Sequence, residues 1–270
     1  MLRPSRQSGA IRPVIVGTIA AVLGAVALFE YLAAFAPTYT DDAFITLQYA
    51  DTLLRSHCWG FLPGRPANTA TSPLNVILTA ITGASAGTVL DAVPWTAATE
   101  FGAMFVVLLL LSKRFLDGYV FGVLAFLTLV TNPLLLSTLG LETVLFTLLF
   151  LVSVLLFLDH RWFWLALSLG LLTLARADGF LFFVICWIAM PVPSSVRAKV
   201  AALYALVLLP WHLFSWLYLG SFLPDTLLIK MGQGTWGGVS FSTGLADYYV
   251  RRFPAATLSS FALLPFAALS

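Results

Sequence analysis

Thr40-Asp41-Asp42-Ala43 sets two carboxylates side by side, directly after the first long apolar stretch of the chain. One aspartate is enough to begin a helix. A second beside it leaves a carboxylate able to take a proton or to bind a cation through oxygen. Four further charged residues stand where chemistry can use them. Glu142 opens an apolar stretch in Gly140-Leu141-Glu142-Thr143, where an acid also serves a helix start. Arg176 and Asp178 flank Ala177, either as a local ion pair or as a guanidinium held ready for an anion. Lys230 follows the apolar run Leu227-Leu228-Ile229, which would hold its ammonium at the level of a membrane phosphate; the plainer reading is a solvated charge.

Other candidates carry less. Glu100 falls inside an apolar run and needs a polar partner. His57, His160 and His212 have no metal-ligand spacing and support no Ser-His-Asp arrangement. Cys58, in a polar loop, and Cys186, in an apolar run, form neither a disulfide framework nor a metal motif. The glycines at 232, 234, 237 and 238 do not have phosphate-loop spacing.

The elements that must position these residues follow from composition. The chain has 270 residues, 60% hydrophobic and 10% charged, with a mean hydropathy of +0.96. A soluble domain needs far more charged surface. Several apolar runs approach the ~20 residues that cross a bilayer as a helix. Their continuity excludes a barrel of alternating strands. A net charge of +2 gives no reason to expect nucleic acid. The expected class is therefore all-α, a polytopic transmembrane bundle forming a single module over residues 1–270.

Arg3, Arg6 and Arg12 precede an apolar run over 14–35. It is too long for a signal-peptide core, and Pro37 would sit just after the Ala34-Phe35-Ala36 cleavage pattern. An uncleaved first span is expected, with its basic end in the cytosol. Asp41 and Asp42 then lie outside, at the start of an amphipathic surface helix over 41–56. Ala43, Leu47, Ala50 and Leu54 share one face of it; Gln48, Asp51, Thr52 and Arg55 share another. Ser72 and Pro73 suit the N-cap and first position of the next helix.

Lys113-Arg114, His160-Arg161 and Arg197-Lys199 should all be cytosolic. That parity requires 73–90, which is rich in Thr, Ser and Gly, to be juxtamembrane or re-entrant within an external loop 37–93. Further spans are expected at 94–112, 117–136, 143–158, 162–175, 180–191, 200–218 and 255–270, about eight in all with the first, with an external loop at 220–254. A break is expected at Arg176-Ala177-Asp178-Gly179. Arg251-Arg252 falls outside against the charge rule: either those arginines meet an anionic lipid headgroup, or the last part of this topology is inverted.

Five motifs in order then resemble a known family, the bacterial GT-C glycosyltransferases that use polyprenyl-phosphate sugars, especially the arabinofuranosyl- and mannosyltransferase-like members. They are Asp41-Asp42-Ala43-Phe44-Ile45 with Tyr49-Ala50; Pro63-Gly64 with Thr71-Ser72-Pro73-Leu74; Gly140-Leu141-Glu142-Thr143 with Leu145-Phe146; Arg176-Ala177-Asp178-Gly179; and Leu223-Pro224-Asp225-Thr226 with Lys230. Departures are Asn75 in place of an aromatic, Val144 and Ala177 in place of prolines, and Arg65 where an acid is common. The family's further helices and C-terminal soluble domain have no counterpart here, so an N-terminal portion of a longer architecture is expected.

The resemblance implies a GT-C-like fold. It implies an inverting transfer from a lipid-phosphate sugar to a cell-envelope glycan, lipid or protein, on the external face of a bacterial cytoplasmic membrane. It assigns Asp42 as general base, with Asp41 orienting the acceptor. Glu142, Arg176, Asp178 and Lys230 are then substrate-binding. The acid pair admits a divalent metal ion, with Asp41 as ligand, without requiring one. Two other readings share the apolar bundle: a transporter or flippase for a lipid-linked sugar, and a non-catalytic scaffold or fragment.

Overall fold

The computed structural model describes residues 24, 26–34, 39–116, 118–226, 229, 235–236, 239–240, 250–251 and 254. The chain forms two compact units, the first reaching Phe222 and the second starting at Leu223. Residues 1–23, most of the expected first span, and the expected last span at 255–270 lie outside the described residues, as do Arg252 and Lys230.

The first unit is helical. Helix α1 covers 26–33, α2 Asp41–Ser56, α3 Pro73–Ala86, α4 Val89–Leu116, α5 Val120–Val130 and α6 Pro133–Leu136. Then come α7 Thr143–Leu158, α8 Trp162–Ala175, α9 Gly179–Ala189 and α10 Ser194–Phe214, which runs on into a π-helical turn, Ser215–Leu219. In the second unit Thr235–Trp236 pairs antiparallel with Val239–Ser240, a short exception to the all-α expectation.

Among the described residues, two stretches are long and apolar enough to cross a membrane, Val89–Phe115 and Ser194–Leu219. They contain the expected spans 94–112 and 200–218. The helices at the other described spans are shorter. The expected span 117–136 is divided, and local chemistry explains why. Thr131 Oγ1 bonds back to Leu127 O, 2.6 Å. Asn132 Oδ1 accepts from the backbone N–H groups of Leu134 and Leu135, at 2.9 and 3.4 Å. Pro133 has no N–H to extend the ladder. Helix α5 therefore stops and α6 starts afresh.

Helix α2 has the expected bounds. Its first turn carries Asp41 and Asp42, which complement the helix dipole, and it ends at His57 in the left-handed conformation, φ 51°. Ala43, Leu47 and Ala50 are buried, as their spacing requires; Thr52, expected on the polar face, is buried too. Helix α3 starts at Pro73 with Ser72 at the N-cap, but no side-chain cap bond forms. It stops at Ala86, four residues before the expected end, because Gly87 turns to φ 95° and lets α4 begin at Val89.

Both ends of α3 stay at the level of α2. Asn75 Nδ2 donates to Gly140 O, 3.2 Å, and Gly140 lies against Ala43. At the other end, Gly83 packs against Leu54 and Val89. Helix α4 then departs. Its far end carries Lys113 and Arg114, and Arg114 pairs with Asp159 at the end of α7. Arg114 Nη2 also donates to Leu158 O, 2.6 Å.

The first unit thus has two chemically different ends. Asp41, Asp42, Glu142, Arg176 and Asp178 belong to one. Lys113, Arg114, Asp159, His160 and Arg161 belong to the other, separated from it by the length of α7, about 24 Å at the α-helical rise. Between them the outer surface is apolar: Leu206 is 60% and Leu124 56% exposed, and Leu127 and Leu209 also face outward.

Candidate functional site

Three helix ends meet at Arg176. Glu142 stands at the N-cap of α7 and its carbonyl accepts from Phe146 N, 2.8 Å. Arg176 follows α8 in extended conformation, φ −152°, ψ 137°. Asp178 precedes α9. The break expected at 176–179 is present. It allows close approach of α9 to α8: a Cβ on Gly179 would lie 2.8 Å from the Leu172 carbonyl carbon, so only glycine fits.

The guanidinium is held from two sides. Its Nη1 donates to Glu142 Oε1 at 3.3 Å, and its Nε donates to Asp178 Oδ1 at 3.1 Å. Its carbon lies 5.8 Å from the centre of the Phe146 ring, within cation–π range. Glu142 is the anchored member, its side chain 15% exposed; Arg176 and Asp178 keep 44% and 49% of theirs. The result is an oriented cation with an open face, suited to an anion such as phosphate.

Asp41 and Asp42 are exposed at the start of α2, and Asp41 Oδ1 accepts from the Asp42 backbone N–H, 3.1 Å. Asp41 lines a groove of about 420 Å³. Gln48 and Asp51 continue that face of α2, while Phe61 and Leu90 supply apolar walls. Asp51 also pairs with Arg55, 2.7 Å. Asp42 is not among the groove-lining residues; it sits one helical step round, on the flank. Carboxylates, an amide and an aromatic ring are the groups that bind sugar hydroxyls and sugar faces. Among the described residues, no three His, Cys, Asp or Glu side chains come together to hold a metal.

The sequence-predicted residues therefore fall into two groups, Asp41-Asp42 and Glu142-Arg176-Asp178. Ala43 connects them, through its contact with Gly140, two residues before Glu142. Gly140 has φ 86°, a conformation that suits glycine. Lys230 lies outside the described residues.

Sequence reasoning missed the groups that fix the loop after α2. Tyr49 Oη contacts Thr69 Oγ1 at 2.5 Å and donates to Ala67 O at 3.2 Å. Asn68 Nδ2 donates to Ser215 Oγ, Ser221 Oγ and Ser221 O, at 2.9, 2.8 and 3.1 Å. This secures the loop to the π-turn that ends α10. An asparagine among small and apolar residues was the available signal; its partners, 147 and 153 residues away, were not. Glu100, expected to have a polar partner, lies beside Asn75, Thr79 and Thr96.

Burial and the nearby Asp91 carboxylate raise the Tyr39 phenol above its ordinary value. Tyr39 directly precedes Thr40 and the acid pair.

No family model, curated protein or solved structure matches the chain.

Proposed function

We propose that this protein is a polytopic membrane glycosyltransferase of GT-C type, moving a sugar from a polyprenyl-phosphate donor to a cell-envelope acceptor. The observation that carries the reading is Arg176, held by Glu142 and Asp178 with an open face, at the same end of an apolar bundle as Asp41-Asp42.

The bundle reading has its own support. Large apolar side chains face outward along α5 and α10, which a lipid environment accommodates and water does not. Exposed aromatics mark both ends: Trp95, Trp216 and Tyr218 near the acidic end, Phe163 and Trp164 near the basic end. Such belts sit at the two interfaces of a bilayer. The basic end would face the cytosol and the acidic end the outside of a bacterial cytoplasmic membrane. Helix α3 begins and ends at the acidic end, as a juxtamembrane element should.

In the proposed reaction, Asp42 takes the proton of an acceptor hydroxyl. That oxygen attacks the anomeric carbon of the donor as the bond from carbon to the phosphate oxygen breaks, with inversion. The products are the glycoside, a protonated Asp42 that returns its proton to water, and the lipid phosphate. A phosphate leaving group needs positive charge more than it needs a proton. Arg176 is placed to supply it, and Lys230 is proposed to share the role. Asp41 orients the acceptor in the groove it lines.

Membranes containing the full chain and a panel of radiolabelled polyprenyl-phosphate sugars test this. Wild type should transfer label from one donor, and Asp42→Asn should lose transfer at equal expression. Undiminished turnover by Asp42→Asn would remove that residue from the mechanism. No transfer from any donor would count against the enzyme reading.

A further inference from the structure

Beneath the candidate site, a cavity of about 10 Å³ lies between α3, α4 and the turn at 139–141. Asn75 and Thr79 reach it from α3, Thr96 and Glu100 from α4, and Gly140 from the turn. Glu100 is 8% exposed, and its Oε1 is buried without a hydrogen-bond partner among the described residues. Thr96 Oγ1 spends its hydrogen on Ala92 O, 2.9 Å, so toward the cavity it can only accept. Asn75 Nδ2 is directed to Gly140 O. Among the described residues no lysine, arginine, histidine or second acid lines the cavity.

A carboxylate placed like this is strongly disfavoured in its charged form unless a positive charge comes to it. Among the described residues no side chain brings one. The volume suits one water-sized occupant. The lining offers hard oxygen atoms: a carboxylate, two hydroxyls and a backbone carbonyl. One carboxylate balances one positive charge, whereas calcium takes six to eight oxygens, usually with several carboxylates. Carbonyls outside helical ladders coordinate sodium in other membrane proteins, and Gly140, in the turn between α6 and α7, keeps a second carbonyl lone pair beyond the one that accepts from Asn75.

We propose that Glu100, Thr79, Thr96 and the Gly140 carbonyl form a binding site for a single sodium ion. The ion ties α4 to the turn that presents Glu142. This inference does not depend on the transferase reading, because its test requires no sugar transfer.

The test is thermal unfolding of the purified full chain in detergent micelles, with sodium chloride titrated against choline chloride at constant ionic strength. Wild type should show a saturable rise in Tm, about 3–6 °C when sodium reaches ten times its dissociation constant. Protons compete for the same carboxylate, so the sodium concentration at half-effect should rise as pH falls. Glu100→Gln, neutral and of the same shape, should lose the sodium response. Thr96→Val removes one oxygen and no charge; it should raise the half-effect concentration about tenfold, one ligand's worth at roughly 1.4 kcal/mol. It serves as the deciding variant if Glu100→Gln does not accumulate. A wild-type Tm indifferent to sodium overturns the proposal, as does an equal sodium response in wild type and variants. A pH-dependent Tm without sodium dependence also overturns it, and identifies Glu100 as a protonated carboxyl beside a water.

Discussion

Replacing Arg176 by lysine keeps the charge and removes the fork. In the structure Nη1 goes to Glu142 and Nε to Asp178, at 3.3 and 3.1 Å, which leaves Nη2 to meet a third partner. A lysine ammonium is a single point on a flexible stem. It cannot hold two carboxylates on different helices and still present an oriented donor to phosphate. The contact at stake is a charge-assisted hydrogen bond, worth about 1.5–3 kcal/mol. If it forms with the leaving phosphate in the transition state, its loss lowers kcat about 10- to 150-fold. The fold should barely notice, since these partly exposed pairs contribute about 1 kcal/mol or less to stability.

Arg176→Lys is therefore expected to unfold near the wild-type temperature while its transfer of radiolabelled sugar falls by one to two decades, with the acceptor KM little changed. Glu142→Gln should cost less, because it loosens the arginine without removing it. Adding Glu142→Gln to Arg176→Lys should then cost almost nothing more, as expected of residues acting through one another. Full turnover by Arg176→Lys would refute the oriented-fork argument. Strictly additive losses would refute the claim that Glu142 acts through Arg176.

Asn68→Ala should lower stability by about 1–2 kcal/mol, since it removes the hydrogen bonds of the amide while Ser215 Oγ keeps its bond to Ser221 O; thermal unfolding in micelles measures this, and an unchanged Tm would show that the loop does not depend on the π-turn. At alkaline pH the Tyr39 phenol should matter. Its folded pKa is raised by burial and by Asp91, so the folded state keeps its proton where the unfolded chain has lost it. This contribution is complete below the ordinary tyrosine pKa of about 10 and is lost as pH rises beyond it. Tyr39→Phe should therefore flatten the fall in Tm above about pH 10; an identical fall in wild type and variant would contradict the shift.

Much of the local structure was legible in the chain itself. The apolar runs, the acids in the first turn of α2 and the Pro73 start of α3 are properties of neighbours in sequence, and helical periodicity reads neighbours well. The break at Arg176-Ala177-Asp178-Gly179 was legible for the same reason. Boundaries were missed where a rule has a local exception. Helix α4 starts at Val89 although Pro94 lies in its second turn; the proline deletes one bond of the ladder, the one to Leu90 O, and the helix runs on past it. Helix α5 ends early because the Asn132 side chain competes for the backbone. Thr52 reads as polar by type, yet its hydroxyl accepts from Gln48 Nε2, 3.4 Å, which lets it turn inward.

The meeting of Glu142 with Arg176 was not legible. The two are 34 residues apart and are joined only because α7 packs against α8, and α8 against α9. The same holds for Asn68 with Ser221 and for Glu100 in its cavity. By itself the sequence determined that this chain is helical and apolar, with acids concentrated at one set of helix ends and bases at the other. Only the tertiary structure decided which acids grip the arginine, that Asp41 rather than Asp42 lines the groove, and that Glu100 Oε1 has no hydrogen-bond partner among the described residues. Periodicity specifies which face of a helix is apolar; side-chain packing between faces specifies which neighbour it meets, and no short stretch of sequence contains that choice.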